Sequence, residues 1–92
     1  MPVINTYIFE DVDLEARGAH AKHGKESMFY GDDNQSLRIL LEEVGEVARE
    51  MNELALGNID QVEYLVNQRK ELIQVAAVAL TWVAKIDRSE NA

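Results

Sequence analysis

The chain has 92 residues and a formal charge of −8, with 17 acidic residues against 9 basic. It contains no cysteine, which removes a disulfide framework, a thiolate zinc site and a cysteine nucleophile together. An apolar share of 47% with 28% charged residues is globular composition, and the acidic balance argues against direct binding to a nucleic-acid backbone, whose affinity comes largely from Lys and Arg.

A domain this small buries only about 60–65% of its unfolded surface, so help from a partner is expected. Met1-Pro2-Val3-Ile4-Asn5 lacks the basic and apolar stretches of a signal peptide. The longest apolar run, Val75 to Leu80, is far short of the roughly 20 residues that span a bilayer. A cytoplasmic protein with neither membrane nor nucleic acid as partner is the expectation.

The single proline stands at position 2, so nothing breaks helices downstream. Residues 1–9 are β-prone (Val3, Ile4, Tyr7, Ile8, Phe9) but have no partner strand, and read as an extended arm or the lead-in to a helix. A first helix is expected over about 11–23, with acids in its first turn and His20, Lys22 and His23 in its last, where the dipole favours cations. Gly24 follows as a C-terminal cap, then a polar loop over 25–34 with Asp33 or Asn34 as the next N-cap.

The second helix, about 35–56, shows the clearest periodicity. Leu37, Leu40, Leu41, Val44, Val47, Ala48, Met51, Leu54 and Ala55 step by three and four and predict a core-facing stripe. Gly57-Asn58 ends it, and Asp60-Gln61-Val62-Glu63 reads as a capping box opening a third helix over about 60–87. From Leu72 to Val83 that helix is apolar almost all round, and such a helix must be buried on every side. Two other helices of one small chain cannot surround it. The expected fold is therefore all-α: three helices, the last two a long antiparallel pair, with the bundle completed by a second copy in a homodimer or homotetramer.

Chemistry points to the same pair. Glu43, Glu46, Glu50 and Glu53 fall within roughly an 80° sector of the second helix, bordering the apolar stripe. Arg49 is the only basic residue between Arg38 and Arg69, so these like charges lack the interspersed cations of an ordinary solvated face. On the third helix Asn67, Glu71, Gln74 and Val78 share one face. Facing helices with oxygen ligands one turn apart are a common way for a bundle to hold a hard cation, and oxygen-only ligands favour Mg²⁺ or Mn²⁺. Taken alone, a glutamate-rich face is more often just solvated.

The combination of Leu41-Glu42-Glu43-Val44-Gly45-Glu46-Val47 with Lys70-Glu71-Leu72-Ile73-Gln74-Val75 resembles the MazG-like all-α nucleoside triphosphate pyrophosphohydrolases, whose motif is Glu-Glu-x-x-Glu on one helix and Glu-x-x-Asp on the next. Ala21-Lys22-His23-Gly24 before a polar loop resembles their first helix, and the likeness spans roughly residues 14–86. It implies hydrolysis of a nucleoside triphosphate to monophosphate and pyrophosphate. It implies Glu43, Glu46 and Glu71 as catalytic metal ligands, with Gln74 in the fourth position. Gln74 departs from the family's Asp and removes one negative charge, so a weakened or inactive nucleotide- or metal-binding module is the alternative. Glu42 belongs to the motif but points about 100° away from Glu43.

Lys22 and Lys25 are candidates for phosphate contact, with dipole pairing and a solvated loop as the plainer readings. Tyr30 and Phe29 are candidates for base stacking or for simple packing. His20 and His23 read as dipole complements, and Trp82 as core or interface rather than a base platform. No Gly-rich phosphate loop is present.

Overall fold

The chain builds its helices from local capping chemistry that its sequence carries openly. In the computed structural model, which describes residues 3–23 and 32–90, three helices follow one another: α1 (Thr6–His23), α2 (Asp33–Ala55) and α3 (Gln61–Glu90). No strand occurs among the described residues.

α1 starts five residues before the position expected for it. Tyr7, Ile8 and Phe9 are helical, and the Ile8 N–H donates to the Asn5 carbonyl at 3.0 Å to close the first turn. With no strand among the described residues to pair with, these β-prone residues meet their backbone hydrogen bonds within the helix. Asp11, Asp13 and Glu15 consequently lie inside α1, and its first turn holds no acid. Gly24 and most of the expected 25–34 loop lie outside the described residues.

The N-cap of α2 is Asp32, not Asp33 or Asn34. Its backbone is extended, and its Oδ1 accepts from the Gln35 N–H at 2.8 Å. Asp33 is thereby a helical residue whose carboxylate is available to α3. At the far end Gly57 adopts φ +77°, the left-handed conformation that glycine tolerates best. The Asn58 N–H reaches the Glu53 carbonyl (2.9 Å) and the Gly57 N–H the Leu54 carbonyl (3.1 Å), a complete Schellman closure. Asp60 then caps α3 by accepting from the Glu63 N–H at 2.8 Å.

α2 and α3 run antiparallel. Moving up α2 from Asp33 through Val47 to Glu50, the α3 partners move down from Trp82 through Gln68 to Asn67. α1 packs on α3 and not on α2, so α3 is the central helix. Arg69 of α3 holds Asp11 of α1 at 2.6 Å beside an apolar groove of about 420 Å³ that includes Ile8, Val12, Leu65 and Leu72.

This arrangement corrects the expected core stripe of α2. Leu40, Val47 and Leu54 are half-buried against α3, but Leu37, Leu41, Val44, Ala48, Met51 and Ala55 are exposed, Leu41 by 59%. The α3 contact occupies only one arc of α2, and α1 lies on another side of α3, so none of the described residues covers the remainder. The apolar block of α3 is likewise only partly covered: Ala77 is buried, while Leu72, Leu80 and Val83 stand about half exposed. Val12 and Ala77 are the only apolar residues buried among those described. No described helix is long and apolar enough to cross a membrane.

Candidate functional site

The antiparallel register brings the two half-motifs level. Ser36, Glu43 and Glu50 project from α2 toward α3 at seven-residue intervals, the spacing that keeps side chains on one face of a helix. At the middle of this row, Glu43 faces Glu71 and Gln74. The orientation of the Gln74 amide follows from its neighbours: with its nitrogen turned to the two carboxylates, it donates to Glu43 Oε2 at 2.9 Å and to Glu71 Oε2 at 3.1 Å. One amide thus bridges a carboxylate from each helix. Gln74 was expected as an oxygen ligand, and in this arrangement it serves as a donor instead.

The electrostatics show why a bridge is needed. Burial lifts the Glu43 carboxyl above its ordinary value of 4.5, and the charges of Glu71, Glu46, Glu15 and Glu42 push it the same way. Glu71 is also lifted, first by burial and then by Glu46 and Glu50, with Lys70 and Arg49 pulling it partly back. Among the described residues, negative charge is crowded at this point beyond what Lys70 and Arg49 relieve.

The other glutamates of the sector take separate partners. Glu46 pairs with Arg49 at 3.5 Å, Glu50 accepts from Asn67 Nδ2 at 3.3 Å, and Glu53 accepts from Asn58 Nδ2 at 2.9 Å. All four sector glutamates are half-buried, whereas Glu42 is exposed. Beside this row Gln68, 9% exposed, donates to the Val47 carbonyl and to the Tyr64 hydroxyl, and leaves its own Oε1 buried without a partner.

A charge that the sequence reading missed is Glu15, brought near Glu43 from α1. Its signal was present: Ile8, Asp11, Val12 and Glu15 follow helical spacing on the face that meets α3. Trp82 lies toward the opposite end of the pair, half-buried, with its indole N–H donating to Asp33 Oδ1 at 3.0 Å. That placement is packing at the bundle end, roughly 15 Å along α2 from Glu43. Lys25, Phe29 and Tyr30 lie outside the described residues, and Lys22 is described only through the α1 backbone.

The donor set of Glu43, Glu71 and Glu46 suits a hard cation in kind, and the crowding of charge favours one. The set is not assembled in advance. Among the described residues no three Asp, Glu, His or Cys side chains are gathered closely enough to hold an ion. Assembly requires the Gln74 amide to turn and Glu46 to leave Arg49.

Comparison with protein-family models gives no match, and comparison with curated proteins and with solved structures gives none either.

Proposed function

We propose that this chain is a metal-dependent nucleoside triphosphate pyrophosphohydrolase of the MazG-like kind, working in the cytoplasm as a homodimer or homotetramer with Mg²⁺ or Mn²⁺. The observation that carries the reading is the meeting of Glu43 with Glu71 and Gln74 across the α2–α3 pair, which sets the two halves of the motif opposite each other. Glu43, Glu46 and Glu71 are the ligands assigned on this reading, with Gln74 beside them. The lifted carboxyls supply its electrostatic support, because they mark charge that a divalent cation would relieve.

A bound Mg²⁺ supplies charge neutralisation for a triphosphate that a −8 protein otherwise repels, and Lewis acidity at the scissile phosphate. The chain's own part is to hold the carboxylates on two rigid helices, to orient them through Gln74, and to keep one of the lifted carboxylates ready to accept a proton from water. Lys22, Lys25 and Tyr30 remain the substrate contacts assigned on this reading.

A second reading follows from Gln74 itself. Its amide nitrogen stands between the two carboxylates, where a cation would otherwise offset their charge. On this reading the chain binds nucleotide or metal without turnover. Pyrophosphate release from a panel of ribo- and deoxynucleoside triphosphates, with Mg²⁺ or Mn²⁺ against EDTA, decides between them. Metal-dependent release that Glu43→Gln abolishes is the expected result. Silence across the panel from folded protein overturns hydrolysis, and nucleotide binding under the same conditions then selects the second reading.

A further inference from the structure

α1 approaches the row of carboxylates between α2 and α3 from a side that neither half-motif covers. Its register on α3 follows from one contact and from the reach of the chain. Arg69 holds Asp11 at 2.6 Å. From Asp11 to His23 is about 18 Å of helix, and from Arg69 to Trp82 about 20 Å. Trp82 in turn bonds Asp33 at the start of α2. With α1 parallel to α3, His23 ends level with Trp82, close to where α2 starts. With α1 antiparallel, the two places would lie about 37 Å apart along α3. The ten residue steps from His23 to Asp33 span at most roughly 33–36 Å when fully extended. α1 therefore runs parallel to α3, and Glu15, four residues beyond Asp11, falls level with Ile73, beside Gln74.

Glu15 arrives there without a partner. It is half-buried, on the face of α1 that meets α3. No described residue gives its carboxylate an ion pair or a hydrogen bond; Arg17, two positions on, pairs with Asp13 instead. The charge of Glu15 is accordingly felt at Glu43. On the other two helices the negative charge on offer to a cation is limited. Gln74 is neutral, so this turn of α3 presents one carboxylate, Glu71, while α2 presents Glu43 and an arginine-paired Glu46.

We propose that Glu15 is a further acidic residue of this site, supplying from α1 the charge that position 74 lacks, and that it acts on a hydrated divalent cation through the ion's water and not as a direct ligand. Mg²⁺ sheds its water reluctantly and is usually held by one or two carboxylates with several waters kept. Groups one layer out from a metal orient what binds it and strengthen its hold. Glu15 belongs to no ready-made ligand cluster among the described residues, which fits that outer place. The site then draws on all three helices, although α1 does not pack on α2.

The inference rests on the metal part of the reading above and is independent of hydrolysis. It is tested by calorimetric titration of the protein with MgCl₂, without nucleotide, and by melting temperature in EDTA. The variants are Glu15→Gln and Glu10→Gln, which change net charge equally; Glu10 is exposed and lies about 140° round α1 from Glu15. Glu15→Gln is expected to weaken Mg²⁺ binding about tenfold, and Glu10→Gln to leave it unchanged. In EDTA at pH 7, Glu15→Gln is expected to melt higher than wild type, because a like charge is gone. Gln74→Asp added to Glu15→Gln is expected to restore the lost affinity. Equal affinities for the Glu15 and Glu10 variants, or a lower melting temperature for Glu15→Gln in EDTA, overturn the role of Glu15 while the metal reading stands. Wild-type protein that binds no Mg²⁺ overturns both.

Discussion

Replacing Gln74 by methionine keeps much of the side chain's length and removes its ability to donate. The wild-type amide makes two hydrogen bonds to charged acceptors, at 2.9 and 3.1 Å. Bonds to charged groups contribute about 1.5–3 kcal/mol each when buried. Gln74, Glu43 and Glu71 are only half-buried, so water replaces part of each bond, and about 1 kcal/mol apiece is the appropriate figure. The expected loss at pH 7 is about 2 kcal/mol, a fall in melting temperature of roughly 8–16 °C for a domain of this size.

The loss depends on pH, with a definite sign. Both carboxyls are lifted in the folded state above an ordinary value of 4.5, so the stability they contribute is complete below that value and is lost as pH rises through their folded-state values. Protonation also relieves the repulsion that the amide otherwise offsets. The gap between wild type and Gln74→Met therefore narrows as pH falls from 7 toward 4.5. Thermal unfolding followed by circular dichroism in EDTA, at one protein concentration and at both pH values, reads this directly. A variant as stable as wild type at pH 7, or an equal loss at both pH values, refutes the bridge. A double-mutant cycle with Glu43→Gln should show a coupling of about 1 kcal/mol.

Glu43→Gln should stabilise the fold at neutral pH in EDTA and flatten its stability-versus-pH curve, since it deletes one lifted carboxyl; it should also remove any Mg²⁺-dependent rise in melting temperature, whereas Glu53→Gln, remote from the bridge, should keep that rise. Gln74→Asp places a third carboxylate beside two crowded ones, so a lower melting temperature in EDTA and a larger upward shift with Mg²⁺ are expected; equal shifts for variant and wild type would remove position 74 from the site. Gly57→Ala, at φ +77°, should cost about 1 kcal/mol in denaturant unfolding, and Asp32→Ala about 1 kcal/mol through the lost N-cap.

Several features were legible from residues alone because they are local. Gly57 and Asp60 mark the end of α2 and the start of α3 through bonds spanning three to five residues, and the chain supplies both partners of each bond in sequence. The glutamate sector was legible too, because helical periodicity by itself sets which residues share a face. The extended reading of residues 1–9 was open for the opposite reason: Tyr7, Ile8 and Phe9 carry β propensity, and with no strand among the described residues to pair with they join α1.

Periodicity does not say how far a helix is rotated toward its neighbour. On α2 the face that meets α3 lies between the glutamate sector and the apolar stripe. That rotation half-buries Glu43 and Glu50, exposes Leu37, Leu41 and Val44, and sets Gln74 between two carboxylates as a donor. Glu15 reaches the same place from a helix some thirty residues earlier, a proximity that no spacing within α2 and α3 encodes. The sequence determined the helices, their ends and the faces available on each, because hydrogen bonds between near neighbours decide those. The tertiary structure alone decided which faces meet, because that balance is struck between whole surfaces and solvent.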